Sequence, residues 1–350
     1  MKVKKNILVA PLNWGIGHAT RCIPIVNKLI EHNYNVILAS SGRSLELLMK
    51  EFPVNDFIKI TDYNIKYHSF IPLWLSVFLQ IPKLFFKINE EKKELKKIIS
   101  DFNIDGIISD NRFGFYSETK KSVFITHQLE IQSPLFKNLI QKINYKYINK
   151  FSECWILDYQ ETSLAGVLSN PKKKTKNQKY IGPQSRFKKR KIKEAYEILA
   201  IVSGPEPQRT LFEKILIKEL KDSKKKSLIV QGKPEKSERK TYENLDILSH
   251  VSSQKLNNLT LASKLVICRS GYSTIMDLYK LEKNAILVPT PGQTEQEYLA
   301  KYLSEKEIFK FLDQKSFSLE KAISLSNSFQ KINHSEKETD WNNLFRIFEK

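Results

Sequence analysis

The apolar run Leu265-Val266-Ile267-Cys268 stops abruptly at Arg269-Ser270-Gly271, and a helical pattern begins at once and runs through Asp277. Apolar residues without alternation mark a strand buried on both faces, as in a parallel sheet. A helix that starts directly after such a strand leaves backbone N–H groups pointing out of its first turn, where they attract anions. A second apolar run, Ala285 to Val288, ends in a Pro/Gly loop that leads to Gln293, Glu295 and Gln296. Together these segments have the chemistry to hold a phosphate, a ribose and a sugar in one crevice.

The same junction recurs along the chain. Ile7 to Ala10 reads as a strand, followed by a loop containing Gly15 and Gly17 and a helical pattern from Ala19 to His32. Val36 to Ala39, Phe57 to Ile60, Ile104 to Ser109, Ser122 to Thr126 and Cys154 to Leu157 are further strands, with a short helix expected over Ser44 to Lys50. Polar residues stand just past their ends: Asp110-Asn111-Arg112, His127-Gln128 and Asp158. Strand–helix alternation implies βαβ units and a parallel sheet, and the carboxyl edge of such a sheet is where ligands bind. After the lysine-rich stretch 172–177 the pattern restarts with strands at Glu197 to Val202, Ser227 to Val230, Leu265 to Cys268 and Ala285 to Val288, and a helix from Thr210 to Leu220. The expected architecture is α/β, with two Rossmann-like domains over 1–185 and 195–336.

Composition narrows the class. The 350 residues are 41% hydrophobic, enough for two packed cores, and carry a formal net charge of +20. Such a charge suits nucleic acid, an anionic membrane or a nucleotide substrate. The basic residues are scattered and no nucleic-acid signature accompanies them, so a lysine-rich composition explains them equally well. Cys22, Cys154 and Cys268 are far apart and form no metal-binding spacing, which fits a reducing compartment and excludes a zinc site of the usual kind. The apolar run after Met1 is broken at Pro11 and reads as too short for a secretory signal, so a cytoplasmic protein is expected.

The residues that carry chemistry lie at the strand ends. His18 stands at the expected start of the first helix, where the positive helix end favours neutral imidazole, the form a general base needs; a helix-capping histidine is the alternative. Arg21, one turn on, pairs with an acid or faces solvent. Asp110 orients His18, contacts an acceptor hydroxyl or caps a turn. His127 occupies the equivalent place on the next strand. In the second half, Gly204 lies in a loop that can cradle phosphate, although Pro205 and Pro207 remove donors, and Arg209 can add a charge-assisted bond. Arg269, Ser270 and Gly271 form the best phosphate loop, and Asp277 fits a ribose-hydroxyl acceptor. Glu295 and Gln296 suit sugar hydroxyls, or the first turn of a helix capped by Thr294. The segment 71–87 is unusually apolar, with Pro72, Gln80 and Pro82 arguing against a spanning helix. It reads as a buried helix, or as a patch over 70–97 that meets anionic lipid through its apolar face and neighbouring lysines.

Two α/β halves, Gly15-Ile16-Gly17-His18 after the first strand, and Cys268-Arg269-Ser270-Gly271 followed by Asp277, Pro289 and Glu295-Gln296 resemble the GT-B fold glycosyltransferases of family 28. That group includes the bacterial N-acetylglucosaminyltransferase that makes the peptidoglycan lipid intermediate. The resemblance implies two domains across a central cleft, the first binding a glycan or lipid-linked acceptor and the second a nucleotide-diphosphate sugar, with a UDP-sugar expected. It implies His18 as base, Arg269, Ser270 and Gly271 as the diphosphate loop, Asp277 on the ribose, and Glu295 and Gln296 at the donor sugar. Beside these, the residues themselves are read with Asp110 as a further catalytic group, Gly15, Gly17, Arg21 and His127 on the acceptor side, and Gly204, Arg209 and Gln293 on the donor side. A last helix, about Trp341 to Glu349, would return to the first domain, so that 337–350 belongs with it. No metal or cofactor is implied beyond the nucleotide sugar, no nucleic acid partner is implied, and inversion is expected. The protein would act in cell-envelope glycan or glycolipid synthesis, in the cytoplasm or at the inner face of the membrane. One departure is Gly204-Pro205-Glu206-Pro207-Gln208 where the family has a glycine-rich loop. The Gly-x-Gly-His-x-x-Arg form also resembles an archaeal and bacterial group of glycosyltransferases, and a UDP-sugar hydrolase of the same fold. A UDP-sugar 2-epimerase and a non-enzymatic basic binder complete the set of alternatives.

Overall fold

A computed structural model of the chain describes residues 4–63, 80–132, 137–172, 177–332 and 339–349. The backbone divides into two compact units. One holds the described residues up to Gln184 together with 339–349; the other runs from Ser185 to 332. The stretch between the domains expected over 1–185 and 195–336 is part of the second unit, which begins at Ser185.

The first unit is built on strands β1 (Asn6–Pro11), β2 (Asn35–Ser40), β3 (Asp56–Lys59), β4 (Gly106–Asp110), β5 (Lys121–Thr126), β6 (Glu153–Ile156) and β7 (Gln178–Tyr180), in the order β3-β2-β1-β4-β5-β6-β7 and parallel throughout. Leu8, Ala10, Ile37, Ala39 and Ile107 fill one buried face. Helices α1 (Gly17–Glu31), α2 (Gly42–Glu51), α3 (Ile81–Asp101) and α4 (Lys137–Ile148) complete the βα alternation. The strand order reverses between β1 and β4, so the loops that follow them diverge and leave a crevice at their carboxyl ends.

The second unit repeats the plan. Its strands are β8 (Tyr196–Ile201), β9 (Ser227–Val230), β10 (Arg239–Thr241), β11 (Leu245–Leu248), β12 (Ser263–Cys268), β13 (Ala285–Leu287) and β14 (Lys310–Phe311), ordered β10-β11-β9-β8-β12-β13-β14. Only the edge pair β10–β11 is antiparallel among the described pairings. Helices α5 (Gln208–Lys221), α6 (Ser253–Leu261), α7 (Tyr272–Lys280), α8 (Thr294–Glu305) and α9 (Leu319–Ser326) link the strands. Here the order reverses between β8 and β12, which places the Gly204 loop beside the Arg269 loop.

Part of the apolar segment 71–87 lies outside the described residues. From Gln80 on it enters α3, with Pro82 in the first turn, where a missing N–H costs no hydrogen bond. No helix among the described residues is long and apolar enough to cross a membrane. The chain end is shorter than the helix expected over Trp341 to Glu349: α10 (Trp341–Phe345) passes into a single 3₁₀ turn, Arg346–Phe348. That turn belongs to the first unit. Phe345 and Phe348 are buried against Tyr34 and Trp155, and Lys5 Nζ donates to the Phe348 carbonyl at 2.7 Å. Gly106 in β4 makes room for it, since a Cβ there would lie 2.4 Å from the Phe348 ring.

Truncating Phe348 to Ala removes this plug from the core. The expected loss is about 3–5 kcal/mol, as for other buried aromatic residues. It would be read as a fall in the urea midpoint followed by circular dichroism, and an unchanged midpoint would show that the terminal turn only rests on the surface.

Candidate active site

The glycines after β1 let the chain turn sharply into α1. Gly15 has φ +74°, in the left-handed region that favours glycine, and open space where its Cβ would stand. Gly17 is the first residue of α1, so His18 and Arg21 fall one turn apart at the helix start. Asp110 ends β4, the neighbour of β1, and His127 follows β5. Four residues from three distant stretches of sequence therefore meet at the switch point of the sheet.

Their geometry is tightly coupled. His18 Nδ1 lies 3.0 Å from Asp110 Oδ1, and Arg21 Nε donates to Asp110 Oδ2 at 2.6 Å. Arg21 Nη2 donates to Asp110 Oδ1, completing a two-pronged pair, and Nη1 faces His127 Nδ1. Cys22 Sγ lies 3.5 Å from Asp110 Oδ2. Arg21, Asp110 and His127 are buried, whereas the His18 side chain keeps 13% of its surface exposed. Of the sequence alternatives for Asp110 and Arg21, the structure has Asp110 paired with His18 and Arg21, not capping a turn, and Arg21 buried, not facing solvent.

Burial, and then the Arg21 charge, push the His18 imidazole below its ordinary value of 6.5; Asp110 pulls the other way. Burial opposes ionisation of Asp110, but Arg21 and His18 outweigh it and hold its carboxyl well below the usual carboxylate range. The site thus contains a neutral imidazole hydrogen-bonded to a fixed carboxylate, the arrangement of a general base and the group that orients it.

Sequence reasoning did not find the brace behind this site. Arg112 and Glu91 are both wholly buried and pair at 2.8 Å. Arg112 also donates to the carbonyls of Pro11 and Thr61, while Glu91 accepts from Gly114 N and Tyr63 Oη. The ends of β1 and β4, the chain after β3, and α3 are thereby tied together. Arg112 stood in the polar run after β4; Glu91, one acid among many charges on an amphipathic helix, carried no signal.

In the second unit the expected donor residues also share one rim. Arg269 Nη2 donates to the Gln208 carbonyl at 2.9 Å, Ser270 Oγ to the Gln296 carbonyl at 2.8 Å, and Thr290 N to Gln296 Oε1 at 2.9 Å. Gly204, at φ +103°, brings its backbone beside the Thr290 hydroxyl. Their side chains differ from the sequence expectation in several ways. Arg269 is wholly buried, stacked 4.1 Å over the Phe212 ring, and bonded to the Val288, Pro289 and Gln208 carbonyls and to Gln314. Burial brings its guanidinium down to about 9, which leaves it cationic at neutral pH but out of contact range of a surface ligand. Arg209 is buried between Glu206 and Glu213, at 2.6 and 2.5 Å, so its charge is spent within the fold.

Asp277 is buried, accepts from Ser185 Oγ at 2.6 Å and lies 3.6 Å from Arg186 Nε. Burial raises its carboxyl, against the pull of Arg186 and Ser185. Gln296 pins its own loop through Thr290. Gln293, rather than Thr294, takes the N-cap position of α8, with a buried Oε1 that has no hydrogen-bond partner. Glu295 is half-buried in the first turn. Gly271 is the N-cap of α7, and nothing lies within 4 Å of where its Cβ would stand. What the Arg269-Ser270-Gly271 loop offers a ligand is therefore main chain and a buried positive charge. Among the described residues no cluster of acids, histidines and cysteines is arranged to hold a metal.

The His18 titration follows from these contacts. Nuclear magnetic resonance of the ring should give a midpoint below 6.5, and Asp110→Asn, which deletes the one charge that favours imidazolium, should lower it further. A rise in that variant would contradict the geometry.

Known proteins resemble this chain along both units. Residues 198–345 match the model of the glycosyltransferase family 28 C-terminal domain. The UDP-N-acetylglucosamine–N-acetylmuramyl-(pentapeptide) pyrophosphoryl-undecaprenol N-acetylglucosamine transferase of Buchnera aphidicola subsp. Schizaphis graminum is 26% identical over 251 residues, covering 68% of this chain and 67% of that one. The enzyme of the same name from a Sulfurihydrogenibium species is 24% identical over 319 residues, 87% of this chain and 84% of its own. Among solved structures, a glycosyltransferase of kitacinnamycin superposes with a TM-score of 0.64 at 14% identity, covering 100% of this chain and 96% of that one. The fold is GT-B, and the chain is a glycosyltransferase whose residues 198–345 match the C-terminal domain of family 28.

Proposed function

We propose that this chain transfers the sugar of a UDP-sugar to a hydroxyl of a lipid-linked or glycan acceptor, with inversion at the anomeric carbon. The observation that carries the reading is the His18–Asp110 pair at the switch point of the first sheet, held by Arg21. In this mechanism the acceptor oxygen forms its bond to the anomeric carbon as its proton passes to His18 Nε2. The bond from that carbon to the phosphate oxygen breaks, and its electron pair leaves with the diphosphate. Asp110 stabilises the imidazolium that results.

The donor's diphosphate suits the backbone N–H groups at the start of α7, with the buried Arg269 cation behind them. The reading calls for no metal. The acceptor class and the donor base rest on likeness to the two named transferases, and the location follows from the acceptor: the inner face of the membrane.

A lipid-linked acceptor also gives a role to the first turns of α3. Phe85 and Phe86 are 38% and 63% exposed there, with Lys93, Lys96 and Lys97 exposed further along. Exposed aromatics beside lysines suit an anionic lipid surface. Changing both phenylalanines to Ser should weaken sedimentation with vesicles rich in anionic phospholipid, while binding of UDP is retained.

The hydrolase alternative shares the Gly-x-Gly-His-x-x-Arg form, whose His18 and Arg21 both contact Asp110 here. Release of free sugar from donor alone, at a rate that acceptor does not raise, would favour it. For the transferase, His18→Ala should lower kcat by about 10²-fold or more. The same variant should still be stabilised by UDP in a thermal shift, because the donor loops belong to the other unit. Transfer at the wild-type rate in that variant would overturn the reading.

A further inference from the structure

The loop after β8 is poor in main-chain donors. Pro205 and Pro207 have no N–H. Those of Arg209, Thr210 and Leu211 already donate to the Pro205 carbonyl, Glu206 Oε2 and the Pro207 carbonyl. The loop's own acid, Glu206, is paired with Arg209 at 2.6 Å. An anion beside this loop needs other partners, and two side chains provide them.

The first is the Gln208 carboxamide, whose orientation follows from the direction of each hydrogen bond. A guanidinium only donates. Arg269 Nη2 has two protons and two acceptors, the Gln208 carbonyl at 2.9 Å and Gln314 Oε1 at 2.6 Å. Gln314 therefore meets Arg269 with its oxygen, and its Nε2, which also only donates, faces Gln208 Oε1 at 3.2 Å. The Gln208 oxygen is held by this relay, and its Nε2 protons have no partner among the described residues.

The second is Thr290, which is 1% exposed and whose Oγ1 has no hydrogen-bond partner among the described residues. That hydroxyl faces Gly204, where a Cβ would stand 3.5 Å from it. A buried polar group left unbonded is costly, so an unbonded hydroxyl at a loop edge points to a ligand. Arg269 Nη1 also bonds the Pro289 carbonyl at 3.1 Å, so one guanidinium fixes the chain at Gln208 and next to Thr290.

We propose that Gln314 is a positioning residue that presents the Gln208 carboxamide N–H first, and that Gln208 and Thr290 give the donor's diphosphate the hydrogen bonds that the two prolines withhold. This rests on the nucleotide-sugar reading and deepens it, by naming side chains that bind the phosphate oxygens. Ionised phosphate oxygens only accept, which matches an amide N–H and a hydroxyl, and both bonds are charge-assisted.

Calorimetric titration with UDP tests the proposal. Gln208→Ala should weaken UDP binding about tenfold. Gln208→Glu should weaken it further, about hundredfold, because it sets a carboxylate against the diphosphate while keeping the acceptor for Gln314. A residue that only shapes the loop would show the reverse order, with the isosteric acid the milder change, and that order overturns the proposal. Thr290→Val should also lose about tenfold in affinity while its ligand-free Tm holds or rises, since an unbonded buried hydroxyl is removed. Wild-type affinity in that variant would overturn the role of Thr290. Gln314→Met should cost about fivefold alone and nothing further in the Gln208→Ala background. Equal losses in both backgrounds would overturn the relay. Inorganic pyrophosphate is the second probe. If the wild type binds it but not UDP, with the same order among the variants, the UDP-sugar reading fails and the subsite stands. If the wild type binds neither, both fail.

Discussion

The pair between Arg21 and Asp110 is the contact on which the first site depends. Both groups are buried, and removing two charges from water costs several kcal/mol each before their attraction is counted. Such a pair persists only where geometry is good and the remaining polar atoms are satisfied. Here both carboxylate oxygens are engaged and the third guanidinium nitrogen finds His127. That requires α1 to begin at Gly17, so that Arg21 lies one turn inside the helix, and β4 to end at Asp110, beside β1. The strand order of the sheet and the glycine turn after β1 supply both conditions.

The second unit places a buried guanidinium, that of Arg269, just past the strand beside its own first strand, at the strand end where the first unit has Asp110. Its surroundings are different in kind. Arg209 is neutralised by two glutamates, but the hydrogen bonds of Arg269 among the described residues go to carbonyl and amide oxygens, none of them a carboxylate. The Arg269 charge is thus not cancelled locally. A buried, uncancelled cation beneath a loop of N–H groups attracts an anion through its field without touching it. The first site spends its arginine on a buried carboxylate, and the second keeps its arginine as a source of potential.

How far the sequence went follows from the same contrast. Apolar runs that end in polar residues are legible because a parallel strand buried on both faces tolerates little else, and each such end proved to be the edge of a sheet. Asp110 and His127 follow that rule directly, while His18 was legible from its place at the start of the helix after the glycine loop. The fates of Arg209, Arg269 and Asp277 were not legible, because residue type at a strand end does not say whether a side chain turns outward or braces the loop beneath. Glu213, Ser185 and Arg186, which decide those fates, lie on segments with no chemical signal of their own. The short strands β7, β10, β11 and β14 escaped notice for a related reason: β10 is exposed along its whole length and carries no apolar run. Glu91 is the clearest omission, since an acid on a charged helix is ordinarily solvated, and only the fold shows that this one is wholly enclosed.

The two opposing charges around His18 also explain how a histidine can serve as base in an enclosed site. A carboxylate alone beside the ring would stabilise imidazolium so well that the base would rest protonated near neutral pH. Burial alone would keep the ring neutral, but would leave the imidazolium formed in the reaction without support. Asp110 supplies that support, and Arg21 limits it by occupying the same oxygens. Efficiency in proton transfer is greatest when the base is free at rest yet gains as it takes the proton, a balance that a lone carboxylate cannot strike. Arg21 therefore governs the poise of His18 without being the group that takes the proton.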